Sequence, residues 1–217
     1  MLLSMLLAWV GTAEAKQKKP EPFMWGVGPT IGTYLLPFDY PYSFPKEIRD
    51  SDPTMQGLEG DVQLGAKGTI YMNRDYRLWG HGYLHLGNKA GYNGRGITLG
   101  LDKVLLRDNG INLYVGAGGG LGRFKFDQSD VGKLDGRQIY LRGNIGALYR
   151  NVNQAYDISL FGIVGNTSNQ TFTPASSEEA ADINGGVYMA PLVLGVEATV
   201  YFGDFKPNKK KGNRNRR

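Results

Sequence analysis

The chain has 217 residues, with 32 glycines, 13 tyrosines and no cysteine, and its formal net charge is +5. This length allows one closed domain, and the lack of cysteine excludes disulfides, thiolate metal sites and a lipid-modified N-terminal cysteine. The positive charge is concentrated in residues 206–217, which contain Lys and Arg but no acid. Because the remainder is slightly acidic, the composition does not indicate a nucleic-acid-binding surface, and we expect no nucleic-acid partner.

The N-terminus has the features of an export signal. Residues 1–10 form an apolar run, and Ala13-Glu14-Ala15 matches a small-residue cleavage site. A charged segment before the apolar run is missing, so either the α-amine supplies this charge alone or the natural start lies upstream. The alternative interpretation is a buried N-terminal helix. We expect residues 1–15 to be a cleaved signal peptide and residues 16–22 to be a short periplasmic lead.

From residue 23 onward, apolar and polar side chains alternate in segments of about ten residues, and no later stretch approaches the about 18 apolar residues of a transmembrane helix. A period of two predicts β-strands. We predict eight strands, with limits 23–34, 61–73, 76–87, 94–105, 112–126, 137–150, 155–166 and a last strand that ends at Phe202. Each is long enough to cross a bilayer as a tilted strand, which takes about 9 to 11 residues.

The first four strands each have one apolar face. Val27 and Ile31 alternate with glycines in the first strand, and Leu64, Leu84 and Leu99 belong to the apolar faces of the next three. Polar side chains or glycines occupy the alternate positions. This division is typical of strands with one side in lipid or in a core and the other in a polar environment.

The last four strands continue the same division. In the fifth, Val115 and Leu121 lie opposite a run of glycines, while Ile145, Ile158 and Val196 mark the apolar faces of the following strands. Glycines on one face leave room for large side chains from neighbouring strands. The fifth strand is therefore expected to line a crowded interior.

The connections between the predicted strands alternate in length. Those at 73–75, 106–110 and 151–154 are short, whereas those at 35–60, 88–93, 127–136 and 167–186 are mostly longer. Short turns at one end, longer loops at the other and an even number of strands are typical of outer-membrane barrels. A soluble sandwich has no reason to sort its loops in this way.

Six charged residues lie at polar positions of the predicted strands. They are Lys67, Arg77, Asp102, Arg142, Asp157 and Glu197. The interior of an eight-stranded barrel holds only side chains, so we expect these charges to form an ion-pair network that fills the lumen. The alternative is a gate that opens when one pair breaks. The apolar face is nearly free of charge, which suits lipid, since a midplane Arg or Lys there costs about 2–4 kcal/mol.

The two histidines, His81 and His85, do not indicate a catalytic or metal site. On a strand they are about 13 Å apart, so they cannot bind one metal together. The third strand contains no serine, and a Ser-His-acid arrangement is not visible. We therefore expect no cofactor, no metal and no enzymatic activity.

Three segments support a resemblance to a known family. The sequences at 113–122, 141–149 and 196–202 combine glycine runs with alternating apolar residues and a terminal aromatic residue. They resemble the small outer-membrane β-barrel family typified by OmpX and the transmembrane domain of OmpA. The resemblance implies an all-β fold over residues 23–203, an eight-stranded antiparallel up-and-down transmembrane β-barrel. A basic tail at 204–217, expected to be disordered, departs from the family, whose barrels usually end on the aromatic residue.

These observations predict a location and a general role. We expect a protein exported to the outer membrane of a Gram-negative bacterium, with outer-membrane lipid, lipopolysaccharide and the barrel assembly machinery as partners. The first long loop contains Phe38, Tyr40, Tyr42 and Phe44, which are candidates for contact with an extracellular partner. We predict a structural or surface-interaction role. The alternatives are a lipid-modifying enzyme, a narrow gated pore and a soluble barrel that binds an apolar ligand.

Overall fold

The computed structural model describes residues 24–36, 42–43, 57–58, 62–86, 93–108, 110–128, 132–174, 188–189 and 192–205. Its main feature is a closed barrel of eight antiparallel strands. The strands are β1 (Met24–Leu36), β2 (Val62–Tyr71), β3 (Tyr76–Leu86), β4 (Asn93–Asp108), β5 (Ile111–Gln128), β6 (Gly132–Arg150), β7 (Gln154–Pro174) and β8 (Val193–Asp204). Among the described residues, none forms a helix long and apolar enough to cross a membrane.

The barrel has up-and-down topology. Each strand pairs with its neighbours in the chain, and β1 closes the ring by pairing with β8. The predicted fold class is therefore confirmed. Tight turns join the strands at one end: the Asn73 side chain accepts hydrogen bonds from the backbone N–H groups of Asp75 and Tyr76 at 2.8 and 2.9 Å. Gly110 has a φ of 90°, a conformation that a side chain would disfavour.

Three strands extend well beyond the length that a bilayer requires. β5, β6 and β7 have 18, 19 and 21 residues. The loop predicted at 127–136 is therefore mostly strand, because Asp127 pairs with Lys133 and Gln128 with Gly132. An ion pair at 2.9 Å joins the side chains of Asp127 and Lys133. Opposite charges on neighbouring strands of this kind add to the stability of the strand pair.

A small second sheet is formed by residues from the long loops, at the end of the barrel opposite the tight turns. Its three two-residue strands are Tyr42–Ser43, Gly57–Leu58 and Tyr188–Met189, with Tyr42–Ser43 in the middle. Tyr42 pairs with Leu58 on one side and with Met189 on the other. The loop after β1 is therefore hydrogen-bonded to the segment before β8.

The seam between β1 and β8 accommodates Pro29. Pro29 pairs with Ala66 on β2, but the register with β8 passes from Val27–Phe202 to Thr30–Thr199 without pairs at the two residues between. Proline has no N–H to donate, so this gap lets it occupy a strand of a closed barrel. Inside the barrel, the hydroxyl groups of Thr30 and Thr199 are hydrogen-bonded at 2.8 Å.

The polarity of the barrel is the reverse of that of a soluble one. Its outward side chains are apolar over the middle of the strands, and Leu99, Leu141 and Ile158 are each more than 60% exposed. Its inward side chains include buried Lys, Arg, Asp, Glu and His. An exposed apolar belt around a polar interior is the arrangement of a barrel that spans a membrane.

Candidate functional site: the charged lumen

The lower half of the lumen, nearer the tight turns, contains a network around Arg77. Its guanidinium donates to Asp102 through Nε at 2.8 Å and to Asp157 through Nη1 at 3.0 Å. The Tyr114 hydroxyl donates to Asp157 at 2.5 Å, and Arg77 also stacks on the Tyr114 ring at 4.1 Å. Asn144 donates to Asp102 at 2.9 Å. All five side chains are buried, so each charge depends on these partners in place of water.

The upper half of the lumen contains a second network around Glu197. One carboxylate oxygen accepts from Lys67 at 2.6 Å and lies 2.7 Å from Nη2 of Arg142. The same oxygen accepts from Ser159 at 3.3 Å. The other oxygen lies 3.8 Å from His81 Nδ1. One carboxylate therefore holds two buried cations.

Trp79 separates the two networks. Its indole N–H donates to Asp102 at 2.7 Å, and Lys67 and Arg142 lie 4.9 and 5.4 Å from the centre of its ring. The lower network has one Arg and two Asp, and the upper one has Lys, Arg and one Glu. Neither network is neutral alone, but the six charges balance. The tryptophan ring between them contacts both by hydrogen bonding and by cation–π attraction.

Both ends of the lumen are filled by side chains. Towards the long loops, the Tyr140 hydroxyl bonds to Tyr83 at 2.9 Å and to Thr98 at 2.6 Å. At the tight-turn end, a buried apolar cluster includes Tyr201 and Phe205. Phe205 follows β8, is fully buried, and is fixed by a backbone hydrogen bond to Val152 at 2.9 Å.

The structure thus brings the six charged residues singled out from the sequence into two groups, Arg77–Asp102–Asp157 and Lys67–Arg142–Glu197. Sequence reasoning did not identify the neutral side chains that complete the groups. They are Trp79, Tyr114, Asn144 and Ser159. Each occupies an inward position of its strand. This place in the alternation of inward and outward residues is the only sequence signal that could have identified them.

The order of the polar groups around Ser159 differs from that of a Ser-His-acid triad. Ser159 donates to Glu197 and not to a histidine, so the carboxylate lies between serine and His81, the wrong order for activating a nucleophile. His81 and His85 face the interior, and neither histidine is exposed to the lipid side. Within the described segments, no group of three His, Cys, Asp or Glu could hold a metal ion.

Of the four aromatic residues predicted to contact an extracellular partner, the structure describes one. Tyr42 lies in the small sheet, where its backbone pairs with Leu58 and Met189. Phe38, Tyr40 and Phe44 lie outside the described residues. Their part in binding remains a prediction.

Comparisons with known proteins support the fold alone. No family model and no curated protein matches the chain. Neisserial surface protein A (NspA) is similar in structure, with a TM-score of 0.55, 12% sequence identity, and coverage of 85% of this chain and 100% of that one. The chain therefore has the fold of NspA. This is the small outer-membrane barrel architecture that the sequence resembles.

Two further solved structures are more distant. Ail, the attachment invasion locus protein of Yersinia pestis, has a TM-score of 0.46 at 12% identity, covering 84% of this chain and 97% of its own. The outer membrane protease OmpT from Escherichia coli has a TM-score of 0.25 at 7% identity, covering 83% and 93%. Neither value is high enough to support an inference about what this protein does.

Proposed function

We propose that this protein is a non-enzymatic barrel of the Gram-negative outer membrane, with a sealed lumen and long loops that contact partners at the cell surface. The observation that carries the proposal is its reversed polarity, an apolar outer belt around a charged interior. A soluble barrel with this surface would expose a large apolar area to water, which leads to aggregation. In a bilayer the same surface is fully solvated by lipid.

The sealed lumen argues for an anchoring role over transport. The side chains of Lys67 and Glu197 are 1% exposed, as is that of Arg77. Aromatic residues fill the spaces above and below these ion pairs. An eight-stranded barrel has room only for such side chains. Contact with molecules outside the membrane is therefore left to the loops and to the extended ends of β5 to β7.

The small sheet supports a role for the loops in surface interaction. It pairs the backbone of Tyr42, which belongs to the cluster of aromatic residues in the sequence, with Met189 in the chain that leads into β8. A residue whose backbone is already hydrogen-bonded loses less conformational entropy on binding than a free one. We therefore propose an extracellular partner for Phe38, Tyr40, Tyr42 and Phe44, and the barrel assembly machinery as the partner during insertion.

Cell fractionation combined with a heat-modifiability gel tests the location. We expect the protein in the outer-membrane fraction, folded in cold detergent and with a changed mobility after boiling. Recovery of the protein entirely from the soluble periplasm would overturn the proposal. The surface role is tested on whole cells, by comparing wild type with a variant in which the four aromatic residues are replaced by Ser. Equal binding of extracellular proteins by both would overturn that part.

A narrow gated pore is the second candidate, because a single carboxylate, that of Glu197, holds both Lys67 and Arg142. Loss of this one group would leave two unpaired cations in the lumen, and these would attract water and anions. The test is single-channel conductance in planar bilayers. A gate requires that Glu197→Lys, or a double charge reversal at Lys67 and Glu197, changes conductance. An absence of conductance in wild type and in every variant would exclude it.

A further inference from the structure

Three arginines form a row on the outside of the barrel, facing away from the lumen. Arg95 on β4 pairs in register with Arg123 on β5, and Arg123 pairs with Arg137 on β6. All three side chains point outward and are exposed. Side chains directly opposite each other on neighbouring strands have Cβ atoms about 4.5–5.5 Å apart. The three guanidinium groups are therefore carried side by side.

This row marks the edge of the apolar belt. Two residues closer to the middle of the same strands lie Ile97, Leu121 and Ile139, which also pair with one another and are each more than half exposed. Two residues along a strand correspond to about 7 Å. The belt thus changes within one step from an apolar row to a cationic row, at the end of the barrel that bears the long loops.

The row is poorly neutralised by the protein itself. Asp135 accepts two hydrogen bonds from Arg123, at 2.8 and 2.6 Å, and lies 3.6 Å from Lys125. Among the described residues, no acid forms an ion pair with Arg95 or Arg137. Like charges opposite each other destabilise a sheet, so an arrangement of this kind calls for an anion from outside the chain.

A cleft is present where such an anion could bind. It has a volume of about 160 Å³ and is lined by Asn93, Arg95, Arg123 and Lys125. Guanidinium groups form paired hydrogen bonds with phosphate, with a geometry that lysine does not match. In the proposed location, with the long loops outside the cell, this height corresponds to the headgroups of the outer leaflet.

We propose that Arg95, Arg123, Lys125 and Arg137 form a binding site for the phosphate groups of a phosphorylated glycolipid in the outer leaflet, whose acyl chains pack on Ile97, Leu121 and Ile139. The occupant is a lipid and not a free anion, because the cationic row adjoins an exposed apolar row on the same three strands. The inference rests on the proposed membrane location. It adds to that location a defined arc, β4 to β6, where the lipid binds.

The test is a lipid titration of the full chain in detergent, followed by native mass spectrometry. The probes are bisphosphorylated lipid A and the same lipid without its phosphates. Wild type should bind the phosphorylated form about tenfold more tightly, as expected from three exposed charge pairs. In the triple variant R95Q/R123Q/R137Q this preference should disappear. Excess inorganic phosphate should not displace the lipid from wild type.

The matched control removes three cations from the opposite end of the barrel, as R74Q/K103Q/R107Q, and should keep the preference. A gel of boiled and unboiled samples shows whether each variant folds. If the triple variant does not fold, the single variants R95Q and R137Q replace it. Each should reduce the preference for the phosphorylated lipid. Wild type that binds both lipids equally would overturn the inference, as would equal loss in the control or displacement by inorganic phosphate. Fractionation tests the location independently, so an outer-membrane protein indifferent to lipid phosphate would contradict this inference alone.

Discussion

Glu197 lies 2.6 Å from Lys67 although 130 residues separate them in the chain. The two strands that carry them, β8 and β2, are not neighbours in the barrel. Arg142, the third member of the group, lies on β6, which pairs with neither. The contact therefore crosses the lumen and joins three separate parts of the wall.

Replacing Glu197 with Gln should destabilise the barrel strongly. The substitution leaves Lys67 and Arg142 buried without a counter-charge, and breaking a buried ion pair in this way costs about 3–5 kcal/mol. The free energy of unfolding is measured by urea titration in lipid vesicles, followed by tryptophan fluorescence. Lys133→Gln is the control, because its pair with Asp127 is exposed and should contribute at most about 1 kcal/mol. Equal effects of the two variants would contradict the assignment.

Phe205 should contribute more to stability than Phe202, although they are close in sequence. Phe205 is fully buried in the tight-turn end of the lumen, whereas Phe202 is 50% exposed on the outer face. Phe205→Ala should lower the free energy of unfolding by about 3–5 kcal/mol, the usual cost of emptying a packed aromatic site. Phe202→Ala should cost clearly less under the same conditions. The reverse order would show that Phe205 does not fill the lumen as described.

Inward and outward glycines should differ in their tolerance of a methyl group. A Cβ at Gly100 would overlap the Trp79 ring, whereas a Cβ at Gly68 would meet nothing within 4 Å. Gly100→Ala should therefore destabilise the barrel by about 1–3 kcal/mol through overpacking, and Gly68→Ala should be close to neutral. Thermal unfolding in detergent distinguishes the two. A neutral Gly100→Ala would mean that Trp79 can move away from the β4 wall.

The outer hairpin of β5 and β6 should weaken in acid. Hydrogen bonds from Arg123 hold the pKa of the Asp135 carboxyl below its usual value. A carboxyl with a lowered folded-state pKa stabilises the fold above its unfolded-state pKa, about 3.9, and this contribution is lost as the pH falls through the lower value. After correction for the intrinsic exchange rate at each pH, the protection factors of the amides in the outer parts of β5 and β6 should thus fall below about pH 4.

Asp135→Asn supplies the test for that acid effect. The variant should have lower protection factors at neutral pH and should lack the further decrease in acid. Lys133→Gln, in the same hairpin, should retain that decrease because it leaves Asp135 and Arg123 in place. If Asp135→Asn kept the full acid response, another group would have to be responsible.

The architecture was predictable because strand geometry gives the side chains a period of two, and a membrane requires the outward half of them to be apolar. Val27, Leu99 and Ile158 all face outward as their alternation indicates. The extended ends of β5 and β6 were not predictable from periodicity. Asp127, Lys133 and Asp135 occupy the positions that face outward in the rest of each strand. The pattern of apolar outward residues that identifies a lipid-facing strand is therefore absent there.

The contacts inside the lumen could likewise be predicted only in part. Parity places Lys67, Arg142 and Glu197 inside, but which of them meet depends on how the strands are staggered around the barrel. The arginine row has the same origin. Arg95, Arg123 and Arg137 lie on the lipid-facing parity of their strands, and only the register shows that they are adjacent.

The seam between β1 and β8 also determines which strand pairing of the barrel can form last. Thr30 and Thr199, which meet across it, are 169 residues apart, whereas the other seven pairings of the barrel join consecutive strands. Those hairpins can form while the chain is still being delivered, but the ring cannot close until its last strand arrives. Until that moment two unpaired strand edges can bind other chains. Closure is thus the step that removes the last free strand edges of the barrel, and with them the route to aggregation through edge pairing.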